Sequence, residues 1–309
     1  MKCHYKTTGN KRNLLLVSML CVISIASVSV ARDKSTTAFD MFAFDNYMMK
    51  GKYTETQVRV ETLKELGYEG MSYHGTKDIM KTIEIFENAG LKLFITYLGV
   101  NIDATIAAKQ YDPNLKDAIK QLKGTDIMIW LYLTSKKHKH VSEQGDGAAV
   151  RIIRDIADAA HESDLKIVLY AHVGNYSESF ADILRIARKV NRRNVGISFN
   201  VCHWLKVDGD IDYRMILKKS LPYLFVVTTN GAESGDTKKM GWDKLIQTLD
   251  KGTFDNYKLL KYFKDIGYKG PIGLQGYSIK GDPKQNLANS MKAWLEINER
   301  LTKESAVKK

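Results

Sequence analysis

Eight short apolar runs, separated by amphipathic stretches, recur between Ala38 and Tyr277 and restrict the chain to very few folds. They span 38–45 (AFDMFAFD), 69–74 (EGMSYH), 92–99 (KLFITYLG), 126–133 (DIMIWLYL), 166–172 (KIVLYAH), 195–203 (VGISFNVCH), 223–230 (YLFVVTTN) and 271–277 (PIGLQGY). The runs are apolar nearly throughout, which is the pattern of parallel strands covered on both faces, with the intervening helices as the outer cover. Eight strand-helix units in roughly 280 residues predict an α/β fold, a single (β/α)8 or TIM barrel. A doubly wound open sheet is the alternative, but no Gly-x-Gly-x-x-Gly follows the first run and no other glycine-rich phosphate loop is present.

Local signals place several helices. Thr54-Glu55-Thr56-Gln57 reads as a capping box opening a helix to Leu66, with Gly67 as its stop. A second helix is expected from about Lys77 to Ala89, stopped by Gly90. A last one is expected to start at Asp282, with Pro283 in its first turn. The charged stretch Lys136 to His140 (KKHKH) follows the fourth run and reads as a solvated loop.

The N-terminus has a different character. Lys2, Lys6, Lys11 and Arg12 precede an uncharged run from Leu14 to Ile25, and Ser29-Val30-Ala31 supplies small residues at both positions read by a signal peptidase. That run is too short to span a bilayer, which takes about 20 apolar residues, so the layout predicts a signal peptide over 1–31, cleaved after Ala31. The barrel would then occupy 32–309, and the protein would be periplasmic or secreted, with no membrane attachment after cleavage. The whole chain carries 47 basic and 35 acidic residues, a net +12, which raises the question of nucleic acid. Processing lowers the charge to +8 and leaves Cys202 as the one cysteine, so no intramolecular disulfide is available to the mature chain. On a strand, Cys202 is expected to be a packed, inert thiol.

Catalytic groups of such barrels stand at the C-terminal ends of the strands. Three of the seven histidines, His74, His172 and His203, fall there, interleaved with Asn200, Asn230, Gln275 and Lys206. Histidine serves as acid, base or neutral ligand near pH 7, so the set points to a polar pocket. Tyr73, Tyr97, Tyr132, Tyr170 and Trp204 stand at the same level and offer a wall for the apolar face of a sugar ring. Each is equally readable as core packing.

The strings LYAHVGNY (169–176), VGISFNVCHWLKVDGD (195–210) and YKGPIGLQGYSIKGDP (268–283) resemble the xylose-isomerase-like barrel superfamily, the sugar phosphate isomerase/epimerase group, in an exported bacterial branch. The resemblance runs from Phe39 to about Leu301. It implies a divalent ion held by a glutamate, an aspartate, a histidine and a glutamate on the fifth to eighth strands, with the two glutamates shuttling a proton. In this chain those positions carry Tyr170, Asn200, Thr228 or Thr229, and Gln275; His203 alone is unchanged, in the Asn200-x-x-His203 remnant of an Asp-x-x-His motif. Asn and Gln keep the size of Asp and Glu without the charge or basicity, so neither serves as a general base, and a divalent ion loses most of its attraction.

The metal site is therefore undefined from sequence. A divalent ion (Mn, Zn or Mg) would have to find ligands elsewhere, with Asp45, Asp208, Glu233 and Asp236 the carboxylates near the rim, and no motif calls for another cofactor. The expected function is an isomerase, epimerase or lyase of carbohydrate metabolism, acting on a sugar or keto-sugar derivative. His172 and His203 would be its acid/base pair, His74 and Lys206 assistants, and Asn200, Asn230 and Gln275 hydroxyl-binding groups. The alternative is an inactive barrel that binds a saccharide or a protein partner. The dense His, Asp and Glu set of the DNA-repair enzymes sharing this fold is missing, which argues against a nucleic-acid partner. Oligomeric state is not legible.

Overall fold

The computed structural model describes residues 38–307; the predicted signal peptide and its cleavage point lie outside them. The described residues form one closed barrel of eight parallel strands in sequence order. The strands are β1 (Met41–Ala43), β2 (Gly70–His74), β3 (Lys92–Asn101), β4 (Met128–Thr134), β5 (Lys166–Tyr170), β6 (Val195–Asn200), β7 (Leu224–Thr229) and β8 (Ile272–Leu274). Closure is made by β1 against β8, where Met41, Phe42 and Ala43 pair with Ile272, Gly273 and Leu274.

Among the described residues ten α-helices accompany the strands: α1 (Thr56–Leu66), α2 (Ile79–Asn88), α3 (Leu115–Gln121), α4 (Asp146–His161), α5 (Phe180–Val190), α6 (Val201–Asp208), α7 (Tyr213–Ser220), α8 (Trp242–Leu245), α9 (Asn256–Asp265) and α10 (Pro283–Val307). Two cores result from the alternation of side chains along each strand. The outer one lies between sheet and helices, with Ile129, Leu131, Ile167, Leu169 and Phe199 from the strands against Ile153, Ile156 and Phe263 from the helices. The inner one fills the barrel with Phe42, Phe44, Phe94, Ile95, Met128, Trp130, Val168, Tyr170 and Val226. The interior is a packed plug, and only its upper layer is free to do chemistry.

Several boundaries depart from the sequence reading. The 54–57 segment makes no capping box: Glu55 is the N-cap of α1 without a side-chain bond, and the Thr54 hydroxyl donates instead to the Gly51 carbonyl at 2.9 Å. Its predicted end holds, with Gly67 in the left-handed region at φ +78°. The first strand is short, because Asp45–Met48 forms a 3₁₀ turn directly after Phe44. The sixth run is a strand only to Asn200; Val201–Asp208 is helical, which puts His203 in the first turn of α6.

A loop after β7 carries α8 and is closed on itself by Gly231 and Gln247, which exchange backbone hydrogen bonds of 3.0 and 2.8 Å. Gly252 lets the returning chain pass close beneath: its φ is +83°, and a Cβ there would sit 2.1 Å from the Ala232 carbonyl oxygen. Gly252→Ala is expected to cost about 2 kcal/mol, since it adds both left-handed strain and a clash. A urea denaturation curve checks this, and an unchanged midpoint would contradict the close approach.

Candidate functional site

The C-terminal mouth is built on a ladder of neutral hydrogen bonds. Trp130 Nε1 donates to Ser198 Oγ at 2.9 Å, and Ser198 donates on to Asn200 Oδ1 at 2.8 Å. Asn200 Nδ2 donates to Thr228 Oγ1 at 2.7 Å. Ser198, Asn200 and Thr228 are buried inward-facing groups of β6 and β7, so the strand period of two stacks them into one layer. Beside them Gln275 Oε1 accepts from the backbone amides of Gly276 (3.0 Å) and Tyr277 (3.2 Å) and from Asn46 Nδ2. The Gln275 side chain also shares a hydrogen bond with Tyr170, whose hydroxyl is held neutral by complete burial.

Two histidines stand on this floor. His172 follows β5 and His203 opens α6, and their ring centres are 4.3 Å apart. Tyr170 lies under both, at 5.5 Å from His172 and 5.3 Å from His203. His172 Nδ1 is 2.8 Å from the Val173 carbonyl oxygen, and the Val173 amide reaches His203 Nδ1 at 3.5 Å. Burial lowers the pKa of both rings, that of His203 well below the usual histidine value, with the neighbouring His172 adding to it. Both are therefore neutral at pH 7, and an uncharged imidazole is free to act as a base.

Aromatic side chains wall the mouth. Tyr97 packs 4.7 Å from Tyr132 and 5.4 Å from Tyr170, and Phe44 meets Trp130 at 5.4 Å. His74 is exposed and lies 5.6 Å from Tyr97, on the edge of this wall and apart from the His172–His203 pair. Asp45 is the half-buried carboxylate here. Its Oδ1 accepts from Ser72 Oγ at 2.7 Å, and its charge is felt by both Tyr97 and Tyr170.

Sequence reasoning missed Trp242. It sits on α8, partly exposed, with its ring 5.5 Å from His203. A tryptophan after Gly241, in a polar loop following the seventh run, was the available signal.

Four expected site residues are placed elsewhere. Tyr73 points outward, packs against the outer core and donates its hydroxyl to the Lys77 carbonyl. Trp204 belongs to the same outer layer, 5.6 Å from Phe199 and 5.7 Å from Tyr213, because helix α6 turns it away from the mouth. Lys206 spends its ammonium on the carbonyls of Lys238 (2.8 Å) and Met240 (2.7 Å), tying α6 to the loop after β7. Asn230 is fully buried and donates to the carbonyls of Gly231 and Leu245, which pins the start and end of that same loop. Of the expected set, His172, His203, Tyr170, Tyr132, Asn200 and Gln275 are brought together.

Of the other carboxylates named from sequence, Glu233 accepts from Thr253 Oγ1 at 3.0 Å. Asp208 accepts from the Phe180 amide at 3.0 Å, and Asp236 pairs with Lys239 at 2.7 Å. Cys202 is completely buried, which pushes its thiol up to about 12 and keeps it out of thiolate chemistry. Lys136 to His140 is a loop whose backbone amides at 136 and 137 donate to Asp103.

A cavity of about 680 Å³ opens at the opposite, N-terminal end of the barrel, between Phe94, Met128, Phe225 and Pro271. No histidine lines it. In this architecture that end serves stability, so the site is placed at the other mouth, where the neutral imidazoles are.

Residues 60–297 match the family of xylose isomerase-like TIM barrels. No curated protein matches the chain in sequence. Among solved structures, IolI with a bound zinc atom superposes with a TM-score of 0.67 at 14% identity, over 84% of this chain and 98% of that one. The 3-keto-D-glucoside 4-epimerase YcjR from E. coli, in its apo form, gives 0.66 at 15% identity, over 84% and 99%. D-Psicose 3-epimerase with D-tagatose, from Clostridium cellulolyticum H10, gives 0.59 at 14% identity, over 87% and 98%. At these identities the similarity establishes the fold.

Proposed function

The chain belongs to the xylose isomerase-like TIM-barrel family, and from that premise we propose that it is an exported enzyme moving a proton next to the carbonyl of a sugar or keto-sugar derivative. The reaction class is isomerisation, epimerisation or β-elimination. The observation that carries this reading is the pair of desolvated, neutral imidazoles 4.3 Å apart above a hydrogen-bonded floor. Abstraction of such a proton needs a base that is unprotonated near neutral pH and a donor for the developing enolate oxygen. The two rings of the pair can divide these roles between them. Two of the structural neighbours are named as epimerases and carry sugar names, which supports the substrate class.

A resident divalent ion does not fit these residues. The positions that the family gives to its metal ligands hold Tyr170, Asn200, Thr228 or Thr229, and Gln275, none of them anionic. The amide and hydroxyl groups of Asn200, Thr228 and Gln275 are already committed to one another and to the backbone. Among the described residues no group of three His, Cys, Asp or Glu side chains is arranged to hold a metal ion. The proton transfer is accordingly assigned to the histidines alone, with Asp45 as an acceptor for ligand hydroxyls and Tyr97, Tyr132 and Trp242 as the wall for the ring.

The same commitment of Asn200 and Gln275 to internal bonds favours a second reading, a barrel that binds a saccharide without turnover. Proton exchange separates the two. Purified protein is incubated in deuterated water with a panel of aldoses, ketoses and keto-glycosides, and solvent deuterium in the sugar is followed by NMR. Incorporation is expected with at least one sugar; binding of a sugar with no incorporation would sink the enzyme reading. Export is tested separately by the N-terminus of the secreted protein, expected at Arg32. Trp242→Ala is expected to weaken binding of the same sugar about tenfold, or about 1.4 kcal/mol, with the fold intact. Titration calorimetry measures it, and unchanged affinity would remove Trp242 from the wall.

A further inference from the structure

We propose that the two peptide groups of Val173 fix opposite tautomers in His172 and His203, so that His172 is the base and His203 the hydrogen-bond donor. The assignment rests on the proton-transfer reading for its catalytic meaning, but the tautomers follow from geometry alone. A carbonyl oxygen only accepts, so His172 Nδ1, 2.8 Å from the Val173 oxygen, carries the ring proton and its Nε2 is left with a lone pair. A backbone amide only donates, so His203 Nδ1, reached by the Val173 amide at 3.5 Å, carries the lone pair. A neutral His203 must then hold its proton on Nε2. Neutrality is favoured because no described carboxylate pairs with either ring, and because two cationic rings 4.3 Å apart would repel.

One residue therefore makes two chemically equivalent side chains unequal. In the step this implies, the C–H bond next to the carbonyl breaks and its proton goes to His172 Nε2. The electron pair becomes the C=C bond of an enolate, and the carbonyl π pair moves onto oxygen. His203 keeps its proton and hydrogen-bonds that oxygen, so the negative charge is balanced by the imidazolium formed at His172. Return of the proton from His172 to carbon closes the cycle. No oxidant, reductant or metal is consumed.

The test is a long-range proton–nitrogen correlation spectrum of the full-length protein labelled with ¹⁵N-histidine, at pH 7.5 and without substrate. Signals are assigned by their loss in His172→Gln and His203→Gln. His172 is expected to show a protonated Nδ1 and unprotonated Nε2, and His203 the reverse. The same tautomer in both rings, or a protonated Nε2 on His172, overturns the proposal. Val173→Ala keeps both peptide groups and should leave the spectrum unchanged; Val173→Pro removes the amide and should turn the His203 pattern into a mixture. If the proline variant fails to fold, the wild-type spectrum still decides. Because no substrate is present, a failed tautomer assignment leaves the proton-exchange reading standing, and a failed exchange assay leaves the tautomers standing.

Discussion

His172→Gln is expected to lower the deuterium-exchange rate by about 10³-fold while sugar binding changes less than threefold, because it removes the base and keeps the size and polarity of the side chain. His203→Gln, which preserves a donor in place of the imidazole, is expected to lose less, about 10²-fold. The pH profile adds a signature that a structural role would not give. His172 must be unprotonated to act, and burial lowers its pKa below the ordinary 6.5. The wild-type rate should therefore stay flat as pH falls through 6.5 and decline only below it, as the ring gains its proton. A profile with its acid limb above pH 7, or a His172→Gln variant at wild-type rate, would remove His172 from the chemistry.

What made the fold readable was its redundancy. Eight apolar runs carry the same message, so errors at single boundaries do not change the architecture, and β4 and β5 emerge almost where their runs begin. The sixth run was misread because Val201 to Leu205 are all buried, and a short run with no exposed face does not reveal whether its period is 2 or 3.6. That one boundary decided much of the site. As a strand it would have put Trp204 and Lys206 at the rim; as a helix it lifts His203 onto the mouth and turns Trp204 outward.

Side-chain direction was the other blind spot. Tyr73 and His74 are adjacent at a strand end, so only one of them can face inward, and sequence position does not say which. Lys206 and Asn230 looked available because loops were not yet in place to claim them; the returning chain from 231 to 245 takes up both. The neutral residues Tyr170, Asn200 and Gln275 at the strand ends, by contrast, were legible directly, because residue type needs no geometry. The structure adds what fills the space: a ladder from Trp130 to Thr228 in which each amide and hydroxyl is paired. Introducing a charge there would leave it buried without a partner, which is costly.

Arg185→Ala is expected to destabilise the barrel by about 3 kcal/mol, the usual cost of stripping a partner from a buried ion pair. Arg185 on α5 binds Asp146 of α4 through Nε at 2.9 Å and Asp182 through Nη1 at 2.6 Å. Both carboxylates are buried, and Tyr176 donates to Asp146 at 2.7 Å from the segment that leads from His172 into α5. The network thus holds the two helices on either side of β5 and the chain leaving it. Lys189 reaches Asp146 at 2.7 Å and would keep part of the pairing, whereas Asp182 would retain only its bonds to Ser179. The pH dependence has a definite sign. Burial raises the Asp146 pKa, but hydrogen bonds from Arg185, Lys189 and Tyr176 outweigh it and bring the value below 3.8. A depressed carboxylate contributes stability above its unfolded pKa and loses it as pH falls through the folded value. Wild-type protein should hold its stability down to about pH 4 on this account, while Arg185→Ala should begin to unfold at higher pH because Asp146 then titrates earlier. Urea denaturation between pH 3 and 7 measures both effects; a variant as stable as wild type across that range would show that the α4–α5 network is dispensable.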